Sequence, residues 1–327
     1  VTRPDLEYSA LAAKAVVREL LWYVTCQHVQ GDARNVLLFA TRRGGSTFAM
    51  EIIGANRGIR TLDQPLETQS RSLTAAQTAE IPRFHQGQIT SIDASTHERM
   101  LDVMQKLGSG RAVINAPTRV WRRDVSWRSN RLVLKITDAK PIIDWFHRYV
   151  DADIVYLTRH PIPQAISCLR NNWTLTVDAH LRDPAFVAAH VPDAALARAH
   201  DVMRSGTMLQ RFVVNWALEN AAPMHLLPER SEWTHIRYES CVLDPAGTLA
   251  VLADRLGLAD SDRMQRVLHR PSVSSRISTD ATRRKIAQGR GADMLNAWRG
   301  EVDPSDERWC EDTLAAFGID IGVLTHG

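Results

Sequence analysis

The sequence predicts an α/β chain: a doubly wound, mostly parallel sheet flanked by helices. Three observations predict it. Short apolar runs, Val36–Thr41 and Asp153–Thr158 among them, recur between stretches of helical character. Each of these two runs passes through a polar turn straight into a helix, as parallel strands with helical crossovers require. Both turns carry Arg and Ser: Thr41-Arg-Arg-Gly-Gly-Ser-Thr47 and Thr158-Arg-His-Pro-Ile-Pro-Gln-Ala-Ile-Ser167. Ligands on such sheets gather beyond the carboxyl ends of the strands, where both turns fall.

In chain order, residues 5–29 read as a helix with Leu6, Leu11, Val16, Leu20, Leu21 and Val24 toward one side. Val36–Thr41 is a continuous apolar run, as expected of a central strand covered on both faces. Ser46–Asn56 follows as a helix and Gly58–Leu62 as a short strand. Residues 63–92 are polar, with Pro65 and Pro82, and read as a long functional loop. Ser95-Thr-His-Glu98 reads as a capping box opening a helix to about Leu107. Arg111–Asn115 and Arg131–Thr137 read as strands, Pro141–Val150 as a helix, Asp153–Thr158 as a strand and Pro163–Asn172 as a helix. Helical periodicity runs from Pro192 to Asn220 with a break near Gly206. Glu232–Arg237 is a short strand, and Pro245–Leu256 a helix ended by Gly257. A polar, basic stretch from Arg270 to Gly291 precedes a last helix, Trp298–Phe317. With no repeat or linker in view, one domain is expected over 1–327: an N-terminal helix (5–29), a core (about 35–260) and a C-terminal basic loop and helix (270–327).

With 327 residues, 44% hydrophobic and 24% charged, the chain can build a core without disulfide or metal staples. A net charge of +3 gives no global case for nucleic-acid binding, but leaves room for a local basic pocket that takes a small polyanion. Cys26, Cys168, Cys241 and Cys310 are widely spaced with no CxxC, which fits reduced thiols in a cytoplasmic protein. No signal-peptide pattern opens the sequence and no apolar run approaches a membrane span, so no stable membrane insertion is expected.

The first turn is a phosphate cradle. Gly44 and Gly45 let backbone amides approach an anion, Ser46 and Thr47 add hydroxyls, and Arg42 and Arg43 add charge. The Gly-Lys-Ser/Thr of nucleotide triphosphatases is missing, which counts against a nucleotide kinase. In the second turn Arg159 can grip a phosphate with two parallel hydrogen bonds, and Ser167, eight residues on, can supply a third. Two anion sites on one sheet suggest a ligand with phosphate at two separated positions.

Together the two turns resemble those of the sulfotransferases that use 3′-phosphoadenosine 5′-phosphosulfate (PAPS) and release 3′-phosphoadenosine 5′-phosphate (PAP). Arg43-Gly-Gly-Ser-Thr47 is similar to the family's 5′-phosphosulfate loop, and Arg159, Pro161 and Ser167 to its 3′-phosphate motif. His235-Ile-Arg-Tyr-Glu-Ser-Cys-Val-Leu-Asp-Pro245 resembles the R-Y-E-D-L-x-x-D-P junction, which places Tyr238 near adenine; Lys135 resembles the strand lysine beside the acceptor. The resemblance spans about residues 35–260 and implies a P-loop-like sulfotransferase fold. It also implies PAPS as donor, transfer to a hydroxyl of a small-molecule, carbohydrate or lipid acceptor, and no metal. A homodimer is compatible with it.

The departures concern the base. Many cytosolic members have Lys where this chain has Arg43, and the cytosolic members carry a catalytic His two positions after the strand lysine, where this chain has Thr137. Other branches use the Glu of a Glu-Pro loop, and here Gln64 precedes Pro65. The resemblance leaves Asp63 and Glu67 as leading candidates for the base, with Asp138, His85 and His97 behind them, and Arg43 and Lys135 for charge stabilisation. Arg283, Arg284, Lys285 and Arg290 could hold the 3′-phosphate. Trp121, Trp127 and Phe84 could line an acceptor cleft, with Trp216 read as core, and the five arginines of Arg119–Arg131 could meet an acidic substrate. A non-catalytic PAP- or PAPS-binding protein and a kinase-like phosphotransferase are the competing readings.

Overall fold

The computed structural model describes residues 27–67, 84–112, 127–268 and 295–325, together with 13, 16, 17, 19–25, 79, 81, 82 and 114. The expected basic residues Arg283, Arg284, Lys285 and Arg290, and Trp121, lie outside the described residues. A five-stranded sheet holds β1 (Asn35–Ala40), β2 (Ile59–Asp63), β3 (Arg131–Ile136), β4 (Ala152–Thr158) and β5 (Thr234–Arg237) in the order β2-β3-β1-β4-β5. Every pairing is parallel. The chain leaves β1 for one edge, returns through β3, and then crosses to β4 and β5. The order therefore reverses between β1 and β4, and the crevice at their carboxyl ends is the natural ligand site.

Each face of the sheet is covered, which is why the central strands are apolar throughout instead of alternating. Val36, Leu38 and Ala40 of β1, with Val133 and Val155, pack under α1 (Ser46–Ile53) and two later helices, Pro245–Leu256 and Ser261–Leu268. Leu37 and Phe39, with Leu134 and Tyr156, enter a larger core with α2 (Ala94–Gly108), α3 (Ile143–Tyr149), α4 (Pro161–Arg170) and α5 (Met208–Leu226). Among the described residues, no helix is long and apolar enough to cross a membrane.

Several sequence expectations are corrected. The cap of α2 is Asp93 with Thr96, in place of Ser95 and Glu98: the Asp93 carboxylate accepts from Thr96 N at 2.8 Å and the Thr96 hydroxyl accepts in return from Asp93 N. Arg111, Ala112 and Ile114 form no strand, because Ala112 N donates back to Lys106 O at 3.0 Å and folds the segment onto the end of α2. α4 starts at Pro161 instead of Pro163, since His160 Nδ1 caps it by accepting from Ile162 N. The final helix splits into a short turn, Ala297–Gly300, and Pro304–Ala316 capped by Asp303. Short helices at Val177–Leu181 and Pro184–His190 are additions to the expected order. The N-terminal helix turns a different side inward: Trp22 is buried against the Arg60 guanidinium, 4.9 Å from its ring, while Val16, Leu20 and Val24 are exposed. The Arg60 guanidinium gives the indole a face to pack on and sets the inward side of the helix.

Candidate functional site

The two turns meet. β1 ends at Ala40, and the chain then closes a tight turn in which Gly44 N donates to Thr41 O at 2.9 Å. Arg43 (φ 63°) and Gly45 (φ 93°) both take left-handed backbone, which aims the following amides into the crevice at the N-terminus of α1. A left-handed Arg is strained and persists only where its surroundings hold it. Here they do: Arg43 Nε donates to Ser167 Oγ at 3.1 Å, and Arg43 O accepts from Arg159 Nη1 at 2.9 Å. Arg43, Ser167 and Arg159, brought from two turns more than a hundred residues apart, thus form one cluster.

Tyr238 completes it. Its ring lies under the Arg159 guanidinium at 4.6 Å and against Gly45. A Cβ at Gly45 would overlap the Tyr238 ring, on backbone that already disfavours a side chain. Gly45→Ala is therefore expected to displace Tyr238 and to weaken phosphate-ligand binding by about tenfold or more, read by calorimetry against an unchanged fold by circular dichroism.

The electrostatics separate four basic side chains into two kinds. Among the described residues, no carboxylate lies within ion-pairing distance of Arg43 or Arg159. Burial lowers the pKa of Arg43, and the adjacent Arg159 pushes it the same way. Arg159 Nε is buried with no hydrogen-bond partner among the described residues. Two partly buried, mutually repelling guanidiniums without a counter-charge are costly unless an anion joins them. Arg42 and Lys135 are neutralised instead. Arg42 pairs with the buried carboxylate of Asp138 and stacks over Trp173 at 5.4 Å. Burial works against the charge of Arg42, but Asp138, Glu219 and Glu67 overcome it and raise its pKa. Lys135 pairs with Asp63, its neighbour across β2 and β3, and donates to Thr47 Oγ1 at 3.3 Å. Ser46 is buried at the start of α1, and Thr47 is partly exposed beside Lys135.

The candidate bases sort by their bonds. Asp138 is 1% exposed, holding Arg42 and accepting from Gln88 Nε2 at 3.1 Å. His85 is paired with Asp178 at 2.8 Å. His97 accepts from the Trp145 indole at 3.0 Å and packs edge-on against Tyr149. Asp63 is held by Lys135. Glu67 differs: among the described residues no donor is bonded to its carboxylate. Burial raises its pKa, Asp138 and Asp63 raise it further, and Arg42 and Lys135 pull it back in part. Gln64 and Thr137, the two positions where the resemblance leads one to look for a base, touch each other: Gln64 Nε2 donates to Thr137 Oγ1 at 2.7 Å. A neutral amide–hydroxyl pair fills that space and accepts no proton at ordinary pH.

The expected acceptor-lining residues divide. Trp216 is core, fully buried on α5. Trp127 is exposed just before the short strand Arg128–Ser129 that leads into the amino end of β3, at the end of the sheet away from the turns, so it does not line the crevice. Phe84 is partly buried against the larger core. Trp173, which the sequence does not single out, stands over Arg42 at 37% exposure. Its one sequence signal is faint: it follows the end of α4 closely. Two more site residues escape sequence reasoning. The Gln164 side chain donates to Arg42 O at 2.7 Å, and His160 is stacked on Trp298 at 5.0 Å with its pKa lowered to about 4 by burial and by Arg299 and Arg159. Among the described residues, no three His, Cys, Asp or Glu side chains gather as a metal site would need.

No protein-family model and no curated protein matches the chain. Among solved structures it is similar to a sulfotransferase domain from the curacin biosynthetic pathway (14% identity, TM-score 0.47, covering 88% of this chain and 99% of that one). It is similar also to a sulfotransferase domain from the Synechococcus PCC 7002 olefin synthase (17%, 0.44, 90% and 99%) and to a mouse sulfotransferase complexed with PAP (13%, 0.43, 96% and 92%). These likenesses all fall below a TM-score of 0.5, and the functional reading rests on the residues themselves.

Proposed function

We propose that this chain is a PAPS-dependent sulfotransferase acting on a hydroxyl acceptor. The observation that carries the reading is the joining of Arg43, Ser167, Arg159, Gly45 and Tyr238 into one anion-ready crevice at the switch between β1 and β4. The residues fit the group: the orphaned Arg159 Nε, and Arg43 and Arg159 with no carboxylate in ion-pairing distance among the described residues, ask for an anion such as phosphate. Arg159 and Ser167 would hold the 3′-phosphate, Tyr238 would lie by the adenine, and Arg43 with the amides of Gly45 to Thr47 would hold the 5′ end. Bound there, PAPS supplies an activated sulfuryl group for transfer to an oxygen nucleophile.

The chain's own residues then have three tasks. Glu67 takes the proton of the acceptor hydroxyl, a role its raised pKa suits. Arg43 and the α1 amides stabilise negative charge that develops at the 5′ end. Lys135, oriented by Asp63, assists from β3. The acceptor side is expected to take a small-molecule, carbohydrate or lipid hydroxyl beside Trp173. Incubation with labelled PAPS and a panel of alcohols, phenols and sugars tests the reading: labelled product with some member supports it. PAP binding without transfer to any member would favour a non-catalytic binding protein, a reading that the neutral Gln64–Thr137 pair keeps in play.

A further inference from the structure

Directly behind the phosphate turn lies a buried ion pair that none of the roles above uses. Lys140 is 1% exposed and Glu219, on α5, 4%. Lys140 Nζ has three donors and finds three acceptors: Glu219 Oε2 at 2.8 Å, Thr137 O at 2.9 Å and Ala40 O at 3.3 Å. Ala40 ends β1 immediately before the turn, and Thr137 follows β3 two residues after Lys135. The other Glu219 oxygen accepts from Asn215 Nδ2 at 2.7 Å and Thr176 Oγ1 at 3.1 Å. The next residue, Asn220, accepts from the Tyr156 hydroxyl of β4 at 2.8 Å and donates to Thr41 Oγ1 at 3.1 Å. Through Lys140, on the turn after β3, the cluster grips the ends of β1 and β3, and through Asn220 on α5 it holds Thr41 and the body of β4.

Stability alone does not explain such a pair. Replacing a buried ion pair by apolar groups of similar size is often neutral or stabilising. Apolar packing, however, does not fix where a strand's last carbonyl sits, whereas a lysine with all three donors satisfied does. We propose that Lys140, with Glu219 and Asn220, is a positioning device. It holds the carboxyl ends of β1 and β3 so that the Thr41–Thr47 turn and Lys135 meet the same ligand. The catalytic part of this inference rests on the sulfotransferase reading; the part about the turn's geometry does not.

The test is the double variant Lys140→Met/Glu219→Gln. It removes the charge pair while leaving an amide oxygen on α5 to accept from Asn215 and Thr176. Amide hydrogen exchange of Gly44–Thr47 in the ligand-free protein is measured beside that of β4 amides, which report global opening. The expected result is exchange about tenfold faster in the turn with β4 unchanged, and PAP affinity weakened about tenfold. Turn exchange and PAP affinity within about twofold of wild type would overturn the proposal. If the double variant does not fold, Thr41→Val, which cuts the link to Asn220 alone, decides: faster turn exchange supports the device, and an unchanged turn refutes it. Failure of the wild type to bind PAP would sink the sulfotransferase reading, and the exchange comparison would still judge the positioning role.

Discussion

Glu67→Gln is expected to lower kcat by about 10²–10⁴ while leaving PAP affinity unchanged. The magnitude is that of losing a general base. The affinity is expected to hold because Glu67 feels Asp138, Arg42, Asp63 and Lys135 and lies outside the Arg43–Arg159 cluster. The variant keeps the shape of the side chain and removes only the proton acceptor. The pH dependence follows from the sign of the shift. A base works when deprotonated, so the rate falls as pH drops through its pKa. With Glu67 raised by burial and by Asp138, that fall is expected above the ordinary carboxylate range. Asp138→Asn removes one upward push and should move the fall toward lower pH, although it also strips Arg42 of its partner. Full rate in Glu67→Gln would transfer the role to Asp63, and Asp63→Asn would then be the decisive variant.

Arg43→Ala is expected to lower kcat by about 10²–10³, the usual effect of removing a donor aimed at charge that develops in the transition state. It should also weaken PAP, because Arg43 Nε orients Ser167 and its carbonyl receives Arg159. The carbonyl survives in the variant, so the loss in affinity is expected to be the smaller of the two. A stability gain of about 1 kcal/mol or less is compatible with Arg43→Gly, which relieves left-handed backbone while still abolishing the charge. Chemical denaturation of the two variants side by side separates strain from chemistry.

The parts of the site that are legible in the sequence are those encoded locally. Two glycines after an apolar run, and Arg-x-Pro with Ser eight residues on, specify turn and helix start within a dozen residues each and carry the Arg and Ser side chains that the fold brings together. What the sequence does not disclose is the pairing of charges over long range. Arg42 reads as one more phosphate ligand until Asp138, ninety-six positions away, is seen to hold it. Asp63 and Glu67 read alike until the register of β2 on β3 sets Asp63 opposite Lys135. The polar cluster behind the turn leaves one trace. Asn215, Glu219 and Asn220 interrupt an otherwise apolar run on α5, and polar residues on a helix buried on all sides need partners. The inward face of the N-terminal helix is misread because periodicity weighs Val16, Leu20 and Val24 as a stripe, and cannot see the arginine that makes Trp22 the buried residue.

The most direct test of the account is a calorimetric titration of wild type and Arg159→Ala with PAP, beside AMP and ATP. Wild type is expected to bind PAP far more tightly than AMP, because the proposed reading puts the 3′-phosphate, which AMP lacks, at Arg159. Arg159→Ala is expected to lose most of that preference, roughly 1.5–3 kcal/mol for a charge-assisted contact, and to bind AMP as before. Equal or tighter binding of ATP by wild type, or a preference for PAP that survives in Arg159→Ala, would contradict it.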